Sequence, residues 1–122
     1  MPEPVSVTST VTSAAEALAW LDLATDADFF IEASAWQGRF SLGDFCLWCS
    51  GEFACARIGE HRDHNARHLD SAFVAPDTVA FKDDDGSLYV PPRNLILPRQ
   101  LATEALRAWL IDQEHPPMLR WD

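Results

Sequence analysis

Cys46-Leu47-Trp48-Cys49 is a C-x-x-C, and with Cys55 and His61 it has the composition of a three-sulfur, one-nitrogen zinc site. Zinc knuckles hold such a pair in a tight turn with glycine or a polar residue. Here Phe45, Leu47 and Trp48 spell an apolar strand whose side chains alternate between two faces. A thioredoxin-type redox pair opens a helix after a strand, and no helical period follows Cys49. Three thiols are an odd number for a disulfide framework and read as buried small hydrophobes. His61, His64 and His68 lie in a dense polar segment that could bind metal or move protons. The interleaved Arg62, Asp63 and Arg67 give that segment the look of a solvated loop. It is the best candidate for a metal-dependent enzyme. No nucleophile elbow, phosphate-binding glycine loop or H-E-x-x-H is present. Asp83-Asp84-Asp85-Gly86 lacks the alternating oxygen ligands and closing Glu of a calcium loop and reads as a hairpin turn. Neither metal nor cofactor is expected.

Charge offers a different chemistry. The chain has 19 acidic and 9 basic residues, a net charge of −10, and residues 1–32 carry six acids and no Lys or Arg. Such a field repels nucleic acid and anionic lipid, and it speeds encounter with a basic protein. Asp26, Asp28 and Glu32 form one candidate partner-binding cluster, and Asp83, Asp84 and Asp85 form a second. Solubility alone is the other role open to these carboxylates.

These groups need a frame. A chain of 122 residues is the size of one domain, able to bury roughly two-thirds of its unfolded surface. Five Trp and seven Phe supply the large side chains for one core. Residues 1–12 read as a loose leader or a short edge strand. Ser13 and Glu16 make a capping box, and Ala14, Ala17, Leu18, Leu21 and Ala24 share one face, so the pattern predicts a helix over 14–24. Trp20 and Leu23 fall off that face. They make either a wide buried stripe or an apolar pair for a partner, and Trp36, beside a glycine turn, is the third candidate anchor.

Short apolar runs broken by glycine predict strands near 29–36, 44–49, 52–58, 72–74, 78–82 and 88–90, antiparallel because the connections are short. A second helix over 98–113 starts at Pro98 and stripes Leu101, Ala102, Ala105, Leu106, Trp109 and Leu110. His115-Pro116-Pro117 stops it, and 118–121 reads as a final edge strand or ordered tail. The fold expected is α+β, an antiparallel sheet of five to six short strands packed against two main helices. The N-terminus has neither a basic start nor an apolar run, and no stretch is long enough to span a bilayer, so a cytoplasmic protein is expected.

The glycine-turn hairpin at Gly86-Ser87-Leu88-Tyr89-Val90 is followed by Pro98, Ala105, Trp109, Leu110, Pro116, Leu119 and Trp121. This order resembles the first-numbered family of immunity proteins from bacterial polymorphic toxin systems. That family has a proline-started helix with Ala-x-x-x-aromatic-aliphatic, then a proline and a closing aliphatic-x-Trp. The match covers about the last forty residues; upstream it agrees only in outline. The resemblance implies a small α+β protein without catalysis of its own that binds a toxin domain in the producing cell. Deaminases and nucleases are among the family's toxins. A basic active-site cleft on such an enzyme is what an acidic surface would occupy. An effector chaperone is a further alternative. Trp109 and Trp121 are expected to be core anchors.

Overall fold

Two long strands carry the architecture, because their sequences leave little face for water. The computed structural model describes residues 7–10, 28–37, 40–60, 62–70, 72–83, 85–112 and 114–122. Strands β1 (Val7–Thr10), β2 (Phe29–Gln37), β3 (Phe40–Ser50), β4 (Phe53–Gly59) and β5 (Asp63–Arg67) come first. The short strands β6 (Phe81–Lys82) and β7 (Leu88–Tyr89) follow, then a 3-10 turn at Arg93–Leu95. Strand β8 (Leu97–Pro98) leads directly into helix α1 (Arg99–Asp112), and β9 (Arg120–Trp121) closes the described chain.

The sheet runs β1-β2-β3-β4-β5-β9, and β8 pairs with the Phe53 end of β4. All these pairings are antiparallel except β1 with β2. β2 and β3 run from Phe29↔Cys49 to Gln37↔Phe40, with a register shift between Ala35 and Trp36. Gly43 makes that irregularity possible: its φ is 113°, and a Cβ there would sit 2.8 Å from the Gly59 carbonyl oxygen.

Five consecutive β3 residues, Phe45 to Cys49, are buried, which requires cover on both sides of the sheet. On one side lies α1, whose Ala102, Ala105, Leu106, Trp109 and Leu110 follow the i, i+3, i+4, i+7, i+8 stripe of an amphipathic helix. They pack on Phe29, Ile31, Phe45, Leu47 and Ile58, and Ala33, Ala54 and Ala56 keep that face low enough for close approach. On the other side Phe30, Cys46, Trp48 and Cys55 are covered by Ala75, Phe81, Leu95 and Ile96 from the 72–96 segment.

This corrects the expected architecture of two main helices on five to six short strands. The protein is mostly sheet, with one α-helix and a 3-10 turn among the described residues. The predicted helix 14–24 lies outside them. Nor are the central strands short: β2 has 9 residues and β3 has 11, because Gly43 bends β3 instead of ending it. The polar stretch Asp63–Arg67 forms a strand between β4 and β9 with only Ala66 fully buried, so it shows no apolar period. Residues 72–74, predicted as a strand, are turn and irregular chain.

Candidate functional site

Strand register sets three side chains in a row on the loop side of the sheet: Glu32 opposite Cys46, and Cys46 opposite Arg57. The Cys46 thiol donates to Glu32 Oε2 at 3.5 Å. Burial, reinforced by the Glu32 charge, pushes that thiol up to about 12. The Arg57 guanidinium stands 5.2 Å from the Trp48 ring centroid. Trp48 is flanked by Phe30 at 4.9 Å and Tyr89 at 5.1 Å, and its buried Nε1 has no partner among the described residues.

The three cysteines are free and buried. Three residues apart on one strand, Cys46 and Cys49 enter opposite cores, so they cannot share a metal or form a redox pair. Burial pushes Cys49 up to about 12 and Cys55 up to about 11, the latter against a hydrogen bond with Tyr89.

Members of the two acidic clusters share one side of the sheet. β6 packs beside β2 and β3, which brings the β6–β7 hairpin to the side of the sheet that carries Glu32. In the hairpin, Asp83 N–H donates to Ser87 O at 2.8 Å, and Gly86 N–H, at φ 85°, donates to Asp83 O at 3.1 Å. Asp85 Oδ1 accepts from Ser87 N–H at 2.9 Å and from Ser87 Oγ at 2.5 Å. These bonds hold its carboxyl below the usual range, so it stays ionised. Beside this turn Leu88 is 65 % exposed and Val90 54 %.

Asp28 closes the β3–β4 turn, accepting from Gly51 N–H at 3.0 Å and Ser50 Oγ at 3.3 Å. Its carboxylate is exposed but already engaged. Asp26, Asp84, Trp20 and Leu23 lie outside the described residues; Trp36 is in β2, and its side chain is likewise outside them.

The family-like residues serve the helix side. Pro98 pairs with Phe53, and Arg99 N–H donates to Glu52 O at 2.8 Å, which sets the start of α1. Ala105, Trp109, Leu110, Pro116 and Leu119 are buried. Trp121 is half-buried, lies edge-on to Phe45 at 5.8 Å, and donates from Nε1 to Pro116 O at 2.8 Å.

His61 lies outside the described residues, and the other two histidines of that segment part company. His68 stacks on Phe73 at 4.3 Å and accepts the Asp70 N–H. His64, about 13 Å away by strand rise, donates from Nδ1 to the Asp122 main-chain oxygen at 2.6 Å. Its ring centroid is 4.9 Å from that of His115, whose Nε2 meets Glu60 Oε1 at 2.5 Å. Glu60, His64 and His115 offer three donor atoms within 4.8 Å of one another. Sequence spacing gave no sign of this group, since His115 lies beyond the helix, in the segment that folds back along β5.

No family model, curated protein or solved structure matches the chain. No helix among the described residues is long and apolar enough to cross a membrane.

Proposed function

We propose that this chain is an immunity-type protein of the cytoplasm that binds a cognate bacterial toxin effector and blocks its active site, with no catalysis of its own. The observation that supports this reading best is the β6–β7 hairpin. It presents Leu88 and Val90 to solvent beside Asp83 and Asp85, on the side of the sheet that bears Glu32. An apolar centre rimmed by carboxylates suits a protein partner with a basic surface around an apolar depression. A toxin that deaminates or cuts nucleic acid has such a basic cleft, which agrees with the net charge of −10 and with the family resemblance of the C-terminal third.

The test is co-expression with the toxin domain encoded beside this chain, followed by assay of the purified pair. The expected result is rescued growth, a stable one-to-one complex and loss of toxin activity. A complex that forms only with an unfolded effector segment and leaves activity intact would make the chain a chaperone instead.

A further inference from the structure

We propose that Glu60, His64 and His115 form a site for a divalent transition metal of the zinc class, which staples the C-terminal segment to the β4–β5 edge. Two imidazoles and one carboxylate are the donor set of many zinc sites with an open position. Their three donor atoms already lie within 4.8 Å of one another, where tetrahedral zinc needs pairs about 3.3 Å apart. Glu60 and His115 are exposed and His64 is half-buried, so small side-chain rotations suffice and water can complete the shell.

The surrounding bonds prepare His64 for this role. A main-chain oxygen can only accept, so the contact with Asp122 fixes the proton on Nδ1 and leaves the Nε2 lone pair for the metal. That is the second contact a metal-bound imidazole ordinarily makes. The same segment is tied down by Asp122 N–H to Asn65 O at 3.2 Å and by Arg67 Nε to Asp122 Oδ2 at 2.6 Å. At the Glu60–His115 contact the ion would sit between Oε1 and Nε2, with the His115 proton on Nδ1. The ligands come from the β4–β5 turn, from β5 and from the segment after α1. An ion there joins parts of the chain that are distant in sequence. The site is separate from the β6–β7 hairpin, and it stands or falls independently of the proposed partner.

The experiment titrates zinc into chelator-stripped protein by calorimetry, follows Tm, and records the absorption spectrum of the cobalt form. We expect one zinc per chain, a higher Tm, and a cobalt spectrum without a thiolate charge-transfer band. His115→Ala and Glu60→Gln, both at exposed positions, should each weaken binding at least tenfold and abolish the Tm gain, whereas His68→Ala should leave both unchanged. If His64→Ala compromises β5, those two variants decide the matter. Absent zinc binding, unchanged affinity in either variant, equal loss in His68→Ala, or a thiolate band would each overturn the proposal.

Discussion

The two sides of the sheet are built from the same strands and differ in kind. Toward α1, Phe45, Leu47, Ile58, Leu106 and Trp109 meet in an apolar core with no buried charged side chain among the described residues. Toward the 72–96 segment, Phe30 and Trp48 share their layer with Glu32, Cys46, Arg57 and Tyr89, and the covering hairpin leaves Leu88 and Val90 in water. A helix satisfies its own backbone bonds and can give a whole stripe to packing, so one α-helix closes its side. A hairpin of two-residue strands and irregular chain cannot, and that side keeps polar rows and exposed apolar surface. The first side is closed by packing, and the second leaves Leu88 and Val90 in water.

Trp109→Ala sharpens this contrast most. The ring is fully buried against Phe45, at 5.7 Å, and its loss should cost about 3–5 kcal/mol in urea unfolding. A cost under about 1 kcal/mol would mean the helix side is not the main core.

The thiols give the next effect, in pH. Burial raises Cys46 and Cys49 to about 12 and Cys55 to about 11, so in the folded state they remain neutral where unfolded thiols ionise. Their stabilisation is fully present below the unfolded value near 9 and is lost as pH rises toward about 12. Urea midpoints should fall across that window, and less steeply in a Cys46→Ala, Cys55→Ala variant. Equal slopes would show that these two thiols do not titrate as their burial requires.

Trp48→Phe should have the smallest effect on stability. It loses ring volume, but it also removes a buried N–H without a partner among the described residues, a defect worth about 1–3 kcal/mol. The net change should stay within about 1 kcal/mol. A loss above about 2 kcal/mol would show that the loop side is packed as specifically as the helix side.

The closed side was far more legible in sequence than the open one. The 3.6-residue stripe from Leu101 to Leu110 gave α1 nearly to its ends, and apolar runs with a glycine turn gave the cores of β2, β3 and β4 and the β6–β7 hairpin. Periodicity fails where only one residue in five is buried, as in β5, and where glycine bends a strand without ending it, as at Gly43. The acidic turn was marked by its three aspartates, but Leu88 and Val90 carry the signature of an ordinary strand, and their exposure depends on what fails to cover them. Glu60 and His115 meet only through the fold-back of 114–122, which no local spacing encodes. Asp28, a candidate partner contact by its charge, also caps the β3–β4 turn through two hydrogen bonds, a role its sequence context does not mark.

The claim that the hairpin side is the recognition surface is tested most directly by association and dissociation rates with the toxin domain, at low and high salt. Asp83→Lys with Asp85→Lys should slow association about tenfold at low salt, and the difference should vanish as the Debye length falls from about 10 Å to about 3 Å. Leu88→Ser with Val90→Ser should instead speed dissociation at both salts, with urea midpoints unchanged. Wild-type rates in both variants would contradict the account and place the partner elsewhere on the molecule.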